Sequence, residues 1–252
     1  MKNNLVPAIT GLFIAYLLSG CSVSTENKIA YEQDAADKET LFQISTINAL
    51  LEGAYDGKKT FAELKKQGDF GIGFMQRLDG EMIALDGEFY QIQVDGTAYP
   101  VPRLMRTPFA VVTFFDADES LLIEDGPVDF ATIRKSLDAL ITNKKIFYAI
   151  RIDGDFASVK IRSVPAQKKP FRKLREVFMS DQKIQQFTGV NGTMVGFWYP
   201  KYIGGINIYG YHFHFITKDR KRGGHVLDCR LVKGKIEIDR TPKIHIELFR
   251  PK

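Results

Sequence analysis

The stretch GYHFHFITKDRKRGGHVLD, residues 210–228, holds three of the chain's four histidines. From Tyr211 to Phe215, aromatic residues and histidines alternate. Successive side chains of an extended strand point to opposite faces, so His212 and His214 share one face and the aromatics share the other. The segment Lys218-Asp219-Arg220-Lys221-Arg222-Gly223-Gly224 has turn composition. Pairing Thr217 with Arg222 around a four-residue loop sets His214 opposite His225 and His212 opposite Leu227. Directly opposed Cβ atoms lie about 4.5–5.5 Å apart, and diagonal ones about 7–8 Å or less. Three imidazoles therefore converge on one sheet face.

Three neutral nitrogen donors with a fourth position left free describe a catalytic zinc site, whereas structural zinc is usually closed by four protein ligands, mostly cysteine. Cys229 is the single cysteine near this window. Zinc is the expected metal, with iron and manganese as alternatives that suit overlapping donor sets. His245 lies in the alternating run IHIEL at 244–248 and reads as a half-exposed strand residue rather than a fourth ligand. Arg220, Lys221 and Arg222, at the hairpin tip, read as solvated turn residues.

Outward from the hairpin the chain again reads mostly as strand. Residues 41–51 are apolar and fit strand or helix. Thr60-Phe61-Ala62-Glu63 has capping-box spacing, and Gly68 is placed to close a short helix. Asp79-Gly80, Asp86-Gly87 and Asp95-Gly96 separate short apolar runs. Asp-Gly tolerates the positive φ of tight hairpins, so a β-meander is expected. FAVVTFF at 109–115 reads as a buried strand. Asp129 is a candidate N-cap for a helix whose Phe130, Ile133, Leu137, Leu140 and Ile141 form one stripe. Strands are expected at 146–153 and 156–163 around an Asp153-Gly154 turn, then a helix after Pro170. Further strands are expected near 193–199, 210–217, 223–232 and 243–249. The sum is an α+β chain, mostly antiparallel, with two sheets and few helices. Its expected parts are an N-terminal β-rich part over 39–143 and a C-terminal zinc-binding β-rich part over 144–252.

Of the 252 residues, 44% are hydrophobic and 26% charged. Those are ordinary globular values, which exclude a disordered, collagen-like or polytopic membrane chain. The net charge of +5, from 35 basic against 30 acidic residues, is a small excess concentrated in a few loops. Nucleic acid is therefore not an expected partner.

The first twenty residues read as a leader. Lys2 precedes an apolar run over 5–18, shorter than the roughly 17–25 residues of a spanning helix but suited to a signal peptide. The run ends Leu18-Ser19-Gly20-Cys21. This resembles the bacterial lipobox, which implies lipidation of Cys21 as the first mature residue. A signal peptide over 1–20, a polar tether over 21–38 and an extracytoplasmic chain anchored to a bacterial membrane are expected. With Cys21 lipidated, Cys229 has no intrachain partner.

The histidine window, preceded by GTMVGFWYPKYIGGINIYG, resembles the α-acetolactate decarboxylase family. So do GDFGIGFMQRLDGEMIALDGEFYQI, FYAIRIDG at 147–154 and IRSVPAQKKPF at 161–171. The resemblance covers about residues 41–250. It implies a two-part α+β fold, usually homodimeric and zinc-dependent, that converts (S)-2-acetolactate to (R)-acetoin and CO2. It places the metal ligands on His212, His214 and His225, an active-site glutamate on Glu81 in LDGE, and an active-site arginine on Arg162 in IRSV. The keto and hydroxyl oxygens of the substrate can chelate a metal, which polarises the ketone as a Lewis acid. Glu81 is the candidate for proton handling, and Arg162 for the carboxylate or the developing oxyanion. Alternation independently puts Ser158, Lys160 and Arg162 on one strand face.

Two departures stand against the resemblance. Many relatives read GTF where this chain has Gly73-Phe74, so an aromatic ring replaces a hydroxyl. The family's tail glutamate has no counterpart before Lys252. Two other readings fit the histidines: a zinc hydrolase, which would turn over an ester, and a lipid-anchored zinc-binding homologue with impaired catalysis.

Overall fold

The structure, a computed structural model, describes Met1 and residues 38–248. The expected lipidation site Cys21, with the leader and most of the tether around it, lies outside the described residues. The first half runs β1 (Thr40–Ile44), α1 (Ile47–Leu51), β2 (Lys59–Thr60), α2 (Phe61–Leu64), β3 (Phe70–Phe74), β4 (Glu81–Leu85), β5 (Glu88–Ile92), β6 (Ala98–Pro100), β7 (Arg106–Thr107) and β8 (Phe109–Thr113). Then follow β9 (Glu119–Ile123), β10 (Val128–Asp129), α3 (Phe130–Leu140), β11 (Phe147–Ser163), α4 (Leu174–Ser180), β12 (Lys183–Tyr199), β13 (Gly210–Thr217), β14 (Gly223–Thr241) and β15 (Lys243–Glu247).

Local chemistry explains several boundaries. The open segment 41–51 is a strand and then a helix. Ser45 adopts φ 63°, and the Thr46 side chain accepts the Ala49 N–H to cap α1. The capping box at Thr60 and Glu63 forms as expected, but Gly68 does not close α2, which ends at Leu64 with Lys65 as its cap. Gly68 instead passes close to β8, where an added Cβ would come within 2.6 Å of the Thr113 backbone. Asp86 and Gly87, both at positive φ, make the two-residue turn between β4 and β5 that the Asp-Gly signal predicts. Asp129 caps α3 through the Thr132 N–H.

A seven-stranded sheet has the order β15-β1-β8-β3-β4-β5-β6, antiparallel except where β15 runs parallel to β1. A second sheet has the order β10-β14-β11-β12-β13, and β9 also pairs with β14. Its last strand, β13, pairs back onto the start of β14, so four strands close on themselves. The first sheet is buried on both faces. Ile72, Ile83 and Val111 pack on Ala149, Val195, Phe197 and Ile216 of the second sheet. Met82, Ala84, Ala110 and Val112 pack on Phe61 and Leu64 of α2. Two-sided burial explains why β8 reads as an unbroken apolar run. A third cluster fills the inside of the second sheet with Ile150, Ile152, Phe213 and Phe215, under Ile133 and Leu137 of α3.

One expected turn is absent. Asp153-Gly154 lies inside a continuous strand, β11, and Gly154 pairs with Gly192 on one side and Gly234 on the other. A Cβ on Gly154 would meet the Lys233 carbonyl at 2.5 Å. The glycine therefore serves close strand approach beside a bulge, not chain reversal. The strand expected near 193 begins ten residues earlier, at Lys183.

Asp239 supplies a test of this packing. It is buried, and burial, with Asp118, Asp116 and Asp69 nearby, raises its carboxyl pKa to about 7. The native state then binds more protons than the unfolded one between about pH 4 and 7, so stability falls as pH rises through that window. Asp239→Asn keeps an acceptor for the Asp116 N–H. It is expected to raise the melting temperature at pH 8 and flatten its dependence between pH 5 and 8. An unchanged melting curve at pH 8 would contradict this.

Candidate metal centre

The hairpin forms in the expected register. The Thr217 N–H donates to the Arg222 carbonyl at 2.8 Å, and His214 pairs directly with His225. The β13–β14 pairing continues only through Phe215–Gly224 and Ile216–Gly223, so the expected 212–227 pair does not form. His212 still reaches the group diagonally. Its ring centroid is 4.9 Å from that of His225 and 5.3 Å from that of His214. Gly223 and Gly224 make the crossing possible. A Cβ on Gly223 would lie 2.3 Å from the Phe215 carbonyl, and one on Gly224 would lie 2.7 Å from Ile161 Cδ1.

The remaining strands bring the other two candidate residues. Arg162 of β11 pairs laterally with His225, and its Nη2 lies 3.3 Å from His225 Nε2. Val159 and Ile161 face the interior cluster, which leaves Arg162 on the histidine face, as alternation predicts. Glu81 arrives from the other sheet as the first residue of β4. It is fully buried, not a solvated turn residue, and its Oε2 lies 3.5 Å from His214 Nε2. The next residue of β4, Met82, supplies the carbonyl 2.9 Å from His214 Nδ1. An Nδ1–H donating to that carbonyl leaves Nε2 with its lone pair free. No sequence signal points to this backbone group.

The electrostatics favour uncharged imidazoles. Burial lowers the His212 pKa to about 3, and Arg162 adds to the effect. Burial first, then neighbouring His212 and Arg162, hold His214 and His225 well below the usual range. Burial raises the Glu81 pKa to about 8, against the opposing pull of Arg162. Buried polar atoms normally find partners. Yet among the described residues both Glu81 carboxyl oxygens, His214 Nε2 and Arg162 Nε are buried without one.

These residues fit a divalent cation. One donor atom from each histidine lies within 4.8 Å of the others, and His212 Nε2 is 3.1 Å from His225 Nδ1. Two nitrogens that each sit ~2.1 Å from one tetrahedral ion are ~3.4 Å apart. The lone pair on His214 Nε2 is the orphan that such an ion would satisfy. His245 stands elsewhere, stacked on Phe42 at 5.3 Å.

Two packed sheets that present two buried and one half-buried neutral imidazole beside an acid and an arginine define a candidate three-histidine metalloenzyme centre. Comparisons with known proteins narrow the class. Residues 41–251 match the model of the alpha-acetolactate decarboxylase family. An alpha-acetolactate decarboxylase of Methanosarcina mazei is 47% identical over 210 residues, covering 83% of this chain and 72% of that protein. One from Brevibacillus brevis is 37% identical, covering 98% of this chain and 90% of that protein. The crystal structure of the Bacillus subtilis strain 168 enzyme superposes with a TM-score of 0.80 at 42% identity, covering 83% of this chain and 88% of that one. The chain belongs to the alpha-acetolactate decarboxylase family, whose named members are carboxy-lyases. The two-part α+β fold that the resemblance implied is the one observed.

Proposed function

We propose that this chain decarboxylates (S)-2-acetolactate to (R)-acetoin and CO2 with zinc held by His212, His214 and His225. The observation that carries the reading is the convergence of three neutral imidazoles with Glu81 at 3.5 Å from His214 and Arg162 at 3.3 Å from His225. A divalent cation on these nitrogens supplies a Lewis acid for a keto oxygen and its neighbouring hydroxyl. Arg162 offers planar N–H donors to the substrate carboxylate or to charge developing on oxygen. When CO2 leaves, its bonding electron pair passes into the adjacent carbonyl, and a proton must be added on one face of the carbon that carried the carboxylate as the ketone re-forms. Glu81 handles that proton, because its carboxyl stands 3.5 Å from His214 Nε2 and one sheet fixes it to one side.

The test is acetoin formation by the full chain from racemic 2-acetolactate, followed on a chiral column. A single enantiomer is expected, lost on chelation and restored by zinc. Ester hydrolysis without acetoin would replace the reading by a zinc hydrolase. Bound zinc without turnover would replace it by a non-catalytic homologue.

The reading extends to placement and assembly. The Leu18-Ser19-Gly20-Cys21 motif supports a mature chain lipidated at Cys21 and held outside the cytoplasm. Family membership supports a homodimer. Cys21→Ser is expected to release the chain from membranes, and retention would contradict the anchor.

A further inference from the structure

Arg162 is held in an unusual way for a partly buried arginine. Its guanidinium carbon lies 3.9 Å from the centroid of the Phe178 ring. One amino group meets His225 at 3.3 Å, and Nε has no partner. Arg151, nearer the start of the same strand β11, shows the usual solution: its donors are taken by Asp153 at 2.5 Å and Asp86 at 2.7 Å. A carboxylate partner fixes a guanidinium by consuming its in-plane N–H groups. An aromatic face fixes the plane from above and leaves those donors free.

The ring is itself well placed. Leu174, Val177 and Phe178 stand at i, i+3 and i+4 on α4, one apolar stripe. Leu174 and Val177 are buried in the cluster between the sheets, and Phe178 packs against it. Both flanks of α4 are tied down. Arg172 pairs with Asp181 and donates to Gln167 at 2.9 Å, while Lys173 pairs with Glu52 at 2.7 Å. Beyond the ring the helix opens to solvent at Met179, so Phe178 is the last core residue before the surface.

We propose that Phe178 is a positioning residue that orients the Arg162 guanidinium for an incoming carboxylate without itself consuming an in-plane donor. The inference rests on the decarboxylase reading for its substrate, and it concerns only how Arg162 is held.

A double-mutant cycle on the full, zinc-loaded chain tests it. Phe178→Leu is expected to lower kcat/KM for 2-acetolactate about tenfold, the scale of a desolvated cation–π contact, with bound zinc unchanged. Phe178→Tyr and Phe178→Trp, which keep a ring, are expected to stay within about threefold of wild type. In an Arg162→Lys background, whose ammonium has no plane to align, Phe178→Leu is expected to cost no more than about twofold. The same proteins are titrated calorimetrically with 2-hydroxyisobutyrate, a 2-hydroxy acid with no ketone to react. Its Kd is expected to follow the same pattern. Equal losses in both backgrounds, or no rescue by the aromatic variants, would overturn the proposal and leave Phe178 a packing residue. A wild type that makes no acetoin would sink the decarboxylase reading alone, since the Kd cycle still judges Phe178.

Discussion

Replacing His214 by alanine is expected to remove bound zinc and acetoin formation together, with kcat/KM down by at least about 10³-fold. Losing a residue that merely orients a ligand typically costs 10–100-fold in metal affinity or activity, and His214 is itself a candidate ligand. It is fully buried at the contact between β13 and β4. Its Nδ1 meets the Met82 carbonyl at 2.9 Å, and its Nε2 faces Glu81 at 3.5 Å. Alanine therefore deletes one donor of three and also leaves a buried carbonyl and a buried carboxyl without their neighbour, so some loss of stability accompanies the loss of metal. Metal analysis and turnover on the same sample check this. One zinc per chain retained by His214→Ala would show that the ion sits elsewhere.

The second large effect belongs to Glu81. Glu81→Gln is expected to lower kcat by about 10²–10⁴-fold, the usual range for a general acid–base group, with zinc content unchanged. Stability should move the other way. Both carboxyl oxygens are buried and unpaired, and burial already disfavours the charged form. Folding at neutral pH must add a proton to this carboxyl, which an isosteric amide does not need, so the melting temperature is expected to hold or rise at neutral pH. Activity lost without stability lost is the mark of a residue retained for chemistry. Turnover within twofold of wild type would exclude Glu81 from proton handling.

The centre divides into a part that short-range pattern specifies and a part that it does not. The meeting of His212, His214 and His225 follows from a period of two and a loop length, both local, and the hairpin formed in that register. The Arg162 face also followed from alternation. Glu81 could not be reached that way. It meets His214 only because two sheets pack face to face, and a residue after a turn carries no mark of burial in its own neighbourhood. The family resemblance supplied it. Phe178 has a local signature in the stripe 174, 177, 178, but nothing in that stripe says which side chain it covers.

The misread elements have physical causes too. Asp153-Gly154 carries a genuine turn signal, overridden because three glycines stand side by side across β14, β11 and β12. The first half of β12 gives no strand signal because it is largely exposed and, up to Asn191, pairs only with β11, so its sequence KIQQFTGVN is mostly polar. A strand with little to bury does not announce itself by hydrophobic period.

The most direct measurement is a zinc titration of the metal-stripped full chain, reading bound zinc and acetoin formation in the same vessel. Turnover is expected to rise linearly with zinc and to plateau at one ion per chain, with His212→Ala, His214→Ala and His225→Ala all failing to reach that plateau. Acetoin formed at full rate before zinc is added, or a plateau unaffected by losing these histidines, would contradict this.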